Sequence, residues 1–160
     1  MPPRVVANTY LFFRGFISDP QLRSKTLQML QKFQERVEST LPEDLERRSP
    51  NEKWNAMEVA FHAVNSTKGI LRTCEGLRAK QNVPDSDRSN AGRTKTVSRD
   101  DLMALIKRVY DMTDKFDFKQ AKTASCAHPF LGKKDFQQWL VVNLVHLERH
   151  YRQFDRVLSN

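Results

Sequence analysis

The sequence predicts an all-α protein, a four-helix bundle with a long crossover between its second and third helices. Four segments repeat apolar residues at a spacing of three and four, which is typical of amphipathic helices. Only 5 glycines occur, and runs of Val, Ile or Thr are few, which argues against a sheet. A polar segment separates the second helical pattern from the third. We therefore expect no strands.

The first helix is predicted to begin at Asp19 as its N-cap, with Pro20 in the first turn. Pro42 ends it. We interpret residues 1–18 as an N-terminal arm or short helix and residues 19–160 as one bundle domain. The apolar stripe of this helix consists of Leu22, Thr26, Met29, Leu30, Phe33, Val37 and Leu41.

The second helix is predicted to begin after Asn55 and to reach Leu77. Asn55 is its N-cap, and Glu58 three residues later completes the pattern of a capping box. Its inward residues include Met57, Val59, Phe61, His62, Ile70 and Leu77.

The polar segment that follows, residues 78–100, contains Pro84 and Gly92. Connections of this length are uncommon inside a compact domain. A crossover that returns along the length of a bundle is one physical reason for such a connection.

The third helix is predicted to open at Ser98, with Asp101 three residues later, and the fourth helix to run from about Lys134 to Leu158. The stripe of the third helix is Leu102, Leu105, Ile106, Val109, Met112, Thr113 and Phe116. The stripe of the fourth is Phe136, Trp139, Leu140, Asn143, His146, Leu147, His150, Tyr151, Phe154, Val157 and Leu158.

Charge and composition limit the possible functions but do not identify one. The net charge is +8, which suits nucleic acid, an anionic membrane surface or an anionic substrate, although a solvated basic surface is the simpler reading. No apolar run reaches the roughly 18–20 residues of a membrane span. Cys74 and Cys126 belong to no Cys/His cluster. With no secretory signal pattern, this suits a reducing cytoplasm.

Three histidines form a candidate metal site. His146 and His150 lie four residues apart within the apolar stripe of the fourth helix, so both imidazoles point inward in the same direction. Buried imidazoles need partners, and His62 on the second helix is a third candidate. Three imidazoles plus water are typical of catalytic zinc, while nickel, iron and manganese also accept imidazole. The spacing alone leaves open that these histidines are structural. His128, which precedes Pro129, is predicted to fix a loop rather than to bind a metal.

Two stretches resemble the sequence motifs of the DinB-like metalloprotein superfamily, which includes the YfiT-type proteins. "HPFLGKKDFQQWLVVNLVHLERHYRQF" carries the first and "KWNAMEVAFHAVNS" the second. The matching residues are Trp54, Asn55, Glu58, His62, His128, Pro129, Gly132, Trp139, His146, His150, Arg152 and Gln153. The resemblance implies a four-helix bundle with a long crossover. It also implies a divalent metal ion held by His62, His146 and His150.

The resemblance further implies an activity. Some members are transferases or isomerases that use low-molecular-weight thiols such as bacillithiol or mycothiol, so we expect a metal-dependent thiol transferase or hydrolase acting on a small molecule. A homodimer is also expected. Glu58 is the best general base by position, with capping as its alternative role. The expected pocket is lined by Asn65, Ser66, Asn143 and Arg149, and Arg72, Arg149 or Arg152 would pair with a carboxylate.

A second hypothesis is a non-catalytic module, in which a metal staples two helices of a stress-related or interaction protein. Its DNA-binding variant would use the basic residues between positions 78 and 108. No interleaved aromatic residues or reading-helix motif accompany them, so nucleic acid is not the expected partner.

Overall fold

A computed structural model describes residues 17–86 and 94–159, and within them the protein is helical, as predicted. The helices are α1 (Asp19–Ser39), α2 (Pro42–Glu46), α3 (Ala56–Arg78), α4 (Arg99–Lys115) and α5 (Phe136–Ser159); β1 (Cys126–His128) and β2 (Gly132–Lys134) form an antiparallel hairpin. The predicted N-terminal arm, except for Ile17 and Ser18, lies outside the described residues.

Side-chain contacts at both ends show that α1 and α4 run antiparallel. Arg23, near the start of α1, forms an ion pair of 2.6 Å with Asp114, near the end of α4. Arg99, at the start of α4, donates to the carbonyl oxygens of Val37 and Glu38, at 3.0 and 2.6 Å. The start of each helix therefore lies beside the end of the other.

Helices α1 and α5 run in the same direction. The Asp19 carboxylate accepts a hydrogen bond from Gln137 near the start of α5, at 3.0 Å. Arg36 contacts Asp155 at 3.3 Å near the other end of both helices.

Helices α3 and α4 also run in the same direction. Thr94, shortly before α4, donates to the Glu58 carbonyl at 2.8 Å, near the start of α3. Arg78, which ends α3, pairs with Asp117, just beyond α4. Because two consecutive parallel helices need a connection that returns along the bundle, this arrangement agrees with the predicted crossover between the second and third long helices.

The apolar stripes of the four long helices meet in one core. Its largest fully buried side chains are Phe33, Phe136, Phe154, Leu22, Leu30, Leu45, Leu71, Leu102, Ile106, Leu140, Leu144 and Leu147. The predicted stripe of α1 is buried except at Leu41, which is 60% exposed because the helix has already ended at Ser39. No helix in the described part of the chain is long and apolar enough to cross a membrane.

Two predicted helix starts were wrong. The N-cap of α1 is Ser18, which has extended backbone angles, and its N–H donates to the Gln21 side chain at 3.1 Å. Asp19 is already helical. Helix α5 begins at Phe136 rather than near Lys134, and Asp135 caps it by accepting from the Gln138 N–H at 2.9 Å.

The all-α fold class is confirmed, but the expectation of no strands was wrong, because the short strands β1 and β2 precede α5. At the turn, Gly132 has a φ of +77°, which favours glycine. The His128 Nδ1 atom accepts hydrogen bonds from the N–H groups of Phe130 and Leu131, at 3.2 and 3.3 Å. The prediction that His128 fixes this loop is confirmed.

Candidate metal centre

The start of α3 determines which way His62 points. The Asn55 side chain accepts from the Glu58 N–H at 2.9 Å, and the Glu58 carboxylate accepts from the Asn55 N–H at 2.9 Å. This capping box confirms the predicted N-terminus. Because it fixes where the first turn begins, it also fixes the face of α3 on which His62 lies.

His62, His146 and His150 come together between α3 and α5. One ring nitrogen from each lies within 4.8 Å of the others. The Nε2 atoms of His62 and His146 are 3.2 Å apart. The ring centroids of His146 and His150 are separated by 4.4 Å, and those of His62 and His150 by 4.8 Å. The structure therefore brings together the three histidines that the sequence singled out.

These separations fit a shared metal ion. Two imidazole nitrogens bound to one ion at about 2.1 Å lie roughly 3.0–3.4 Å apart, depending on the bond angle. The His62–His146 pair, at 3.2 Å, already meets this distance. The widest pair, within 4.8 Å, needs a shift of about 1–2 Å to reach it. In the absence of a metal, the 3.2 Å contact is a hydrogen bond in which one ring donates to the other.

Gln153 and Trp54 orient the triad. The His150 Nδ1 atom lies 2.9 Å from the Gln153 Oε1 atom. If this Nδ1 carries the proton, the Nε2 lone pair of His150 is free for a ligand. The Trp54 ring lies 4.8 Å from the His62 ring and 6.2 Å from the His150 ring. Both residues belong to the quoted motifs, but the orienting role of Gln153 was missed, although its spacing of three residues from His150 could have indicated it.

Burial keeps the imidazoles of α5 uncharged. It lowers the pKa of His146 well below the usual value, and the neighbouring His150 and His62 lower it further. Burial and the nearby His62 lower the pKa of His150 to about 4. Neutral imidazole is the form that binds metal ions, so both residues are ready to act as ligands near pH 7.

The four predicted pocket residues lie on the same two helices. Asn143 is fully buried one turn before His146, and Arg149 is exposed beside His150. The positive charge of Arg149 contributes to the lowered pKa of both His146 and His150. Asn65 and Ser66 are half-buried one turn after His62.

The Glu58 carboxylate is occupied by structural contacts. Besides the Asn55 N–H, it accepts from the Arg48 guanidinium at 3.1 and 2.9 Å. Capping, the alternative role, is thus confirmed. A role for Glu58 as general base remains a prediction, and these contacts do not favour it.

Two clefts of the described residues lie away from the triad. One of about 440 Å³ is lined by Arg72, Thr73, Gly76 and residues 81–86, at the far end of α3. Another of about 230 Å³ lies near the end of α1. Neither includes Asn65, Ser66, Asn143 or Arg149, so their pocket-lining role stays a prediction.

A family model of the DinB superfamily matches residues 25–154. The chain belongs to the DinB superfamily. All three histidines of the triad lie within the matched residues. Proteins of the DinB superfamily bind metals, which agrees with the chemistry of the triad. No curated protein sequence matched the chain.

Proposed function

We propose that this DinB superfamily protein binds one divalent metal ion through His62, His146 and His150 and is a metal-dependent enzyme. The observation that supports this most is the convergence of three ring nitrogens within 4.8 Å. Three protein ligands leave a coordination position for water or substrate, as in catalytic zinc sites. Zinc, nickel, iron and manganese are all compatible with imidazole.

The proposed reactions are thiol transfer or hydrolysis of a small molecule. A bound metal ion lowers the pKa of a coordinated water or thiol and so supplies a nucleophile near neutral pH. Other residues of this chain would orient the three histidines and shield them from solvent. Gln153 holds His150 at 2.9 Å, and the Trp54 ring covers His62 and His150. Arg149, exposed beside the triad, would attract a carboxylate of the thiol or substrate.

Metal content is the first test. Untagged protein and the double variant His146→Ala, His150→Ala are analysed by elemental mass spectrometry after reconstitution with each candidate metal. We expect about one ion per wild-type chain and none in the double variant. His128→Ala is the matched control, because the His128 Nδ1 atom binds the N–H groups of the hairpin turn and His128 is not one of the three clustered ligands. Metal-free wild-type protein after reconstitution would overturn the proposal.

Activity is tested separately. The metal-loaded protein is assayed with low-molecular-weight thiols against a panel of electrophiles, and with amide and ester substrates. We expect turnover that is lost in the double variant. A metal-loaded protein that binds no thiol and turns over no substrate would contradict the enzymatic part alone.

A non-catalytic, metal-stapled module is the second candidate. One observation favours it: the triad joins α3 and α5, two separate helices. A stapling metal would chiefly stabilise the fold, whereas a catalytic metal would leave the fold largely intact on removal. The homodimer implied by the resemblance stays a prediction, which sedimentation analysis tests.

A further inference from the structure

Asn143 and the triad member His146 have buried polar atoms without partners among the described residues. Both polar atoms of the Asn143 side chain, Oδ1 and Nδ2, are buried without a hydrogen-bond partner among the described residues, and so is the His146 Nδ1 atom. Asn143 itself is 0% exposed. Buried polar side-chain atoms are nearly always paired with protein or with ordered water. An unpaired amide next to a candidate metal ligand therefore calls for a specific role.

The two residues share one face of α5. They lie three positions apart, so their β-carbons are about 5–6 Å from each other. Across from them runs α3. The His62–His146 contact and the approach of the Cys74 Sγ atom to the Phe136 carbonyl, at 3.8 Å, define the antiparallel register of the two helices. This register places Ser66 at the level of Asn143 along the two helices.

The assignment of the His146 nitrogens follows from the triad. Its Nε2 atom faces His62 at 3.2 Å, so Nε2 is the atom that reaches a shared metal ion. The neutral ring then carries its proton on Nδ1. A histidine that binds a metal almost always donates this second N–H to an acceptor, which fixes the ring and strengthens the ligand.

We propose that Asn143 is a positioning residue that holds His146 through one buried water molecule. The water accepts from the His146 Nδ1–H and donates to the Asn143 Oδ1, with Ser66 as its third partner. These three polar groups supply the two to four partners that a buried water requires. The inference rests on the proposed metal site and adds the group that orients one of its three ligands.

Substitutions at Asn143 separate positioning from packing. Asn143→Leu keeps the volume and removes both polar atoms, while Asn143→Asp keeps the acceptor. In competition titrations with zinc, we expect Asn143→Leu to weaken affinity roughly 10–100-fold and Asn143→Asp to bind as tightly as wild type or more tightly. Thr113→Val is the matched control, because Thr113 is fully buried and its hydroxyl donates to the Val109 carbonyl of its own helix at 2.8 Å.

A stability readout distinguishes the two roles. Without metal, Asn143→Leu should unfold at a urea concentration no lower than wild type, because the leucine keeps the packing and removes the buried Nδ2 atom, which has no partner among the described residues. Lower zinc affinity together with undiminished metal-free stability supports the proposal. Wild-type zinc affinity in Asn143→Leu would overturn it and leave the metal site intact. Absence of zinc binding in the wild type would overturn both.

A measurement on the wild type does not depend on how any variant folds. In the zinc-loaded protein, nuclear magnetic resonance should show a His146 Nδ1–H that exchanges slowly and has a cross-peak to a bound water. A rapidly exchanging proton without that cross-peak would overturn the proposed water bridge.

Discussion

At the scale of single residues, the triad depends on desolvation. His146 and His150 lie on a helix face that packs against α3, and burial is the main cause of their lowered pKa values. The same burial that disfavours the imidazolium form presents neutral nitrogens to a cation. In acid, protonated His146 and His150 would form a destabilising pair of charges. At neutral pH the same two residues are neutral and can bind a metal ion.

The metal-free protein should lose stability as the pH falls from about 6.5 to about 4. The pKa of His150 is lowered from 6.5 to about 4 and that of His146 also lies below its usual value, so the unfolded chain binds more protons across this window. In the presence of a chelator, the midpoint of urea unfolding should fall as the pH is lowered across this window. The double variant His146→Ala, His150→Ala should show a shallower fall, with His128, whose pKa is also about 4, retaining part of it. An equal dependence of the unfolding midpoint on pH in the wild type and the double variant would contradict this explanation.

The contact between Gln153 and His150 should matter for metal affinity rather than for folding. Gln153→Leu removes the Oε1 acceptor that lies 2.9 Å from His150 Nδ1, so His150 loses its fixed tautomer. We expect zinc affinity to fall roughly 10-fold or more, since groups that orient metal ligands contribute on this scale. Gln153→Glu, which keeps an acceptor, is the conservative control. Unchanged affinity in both variants would show that His150 needs no support.

At the scale of elements, capping residues mark where the long helices begin. The side chains of Ser18, Asn55, Ser98 and Asp135 stand at the starts of α1, α3, α4 and α5. A helix that began one residue earlier or later would rotate its inward face by about 100°. The cap at Asn55 is thus linked to the position of His62.

Asn55→Ala should destabilise the protein by about 1–2 kcal/mol, the usual effect of losing an N-cap. The substitution removes the acceptor of the Glu58 N–H and the donor to the Glu46 carbonyl, at 2.9 and 3.2 Å. Urea denaturation gives the change in the free energy of unfolding. Asn55→Asp should retain most of the stability, and Asn51→Ala, at an exposed position, should have almost no effect. A loss as large in Asn51→Ala would argue against the cap.

At the scale of the whole molecule, the four long helices surround one core, and the triad ties α3 to α5. Contacts at both ends determine the directions: α1 and α5 run one way, α3 and α4 the other. A metal ion at the triad would add a link between two helices of opposite direction that already share an extensive apolar interface.

Metal should stabilise the folded protein by mass action. At a free concentration about 1,000 times the dissociation constant, a ligand that binds only the folded state adds about 4 kcal/mol. Thermal or urea unfolding with excess zinc should therefore show a higher midpoint than unfolding with a chelator. The double variant His146→Ala, His150→Ala should show no difference between the two conditions. An unfolding midpoint of the wild type that is the same with zinc and with a chelator would contradict metal binding by the native state.

The amino-acid sequence by itself determined the four long helices, most of their inward faces, and the three histidines, but not the short helix α2. These depend on local rules: spacing along one helix, capping residues, and the direction of residues four apart. The caps at Asn55 and Ser98 were predictable because their bonding partners lie three residues away. The family resemblance rested on the same local motifs.

Only the tertiary structure decided the rest. The hairpin before α5 was not predicted, because its strands have only three residues each and depend on pairing with each other. The occupation of Glu58 by Arg48 depends on a contact between separate segments. The distance of 3.2 Å between His62 and His146, and the unpaired amide of Asn143, arise where α3 meets α5. Periodicity specifies which face of a helix is buried, but the register between two helices is set by how their side chains interlock.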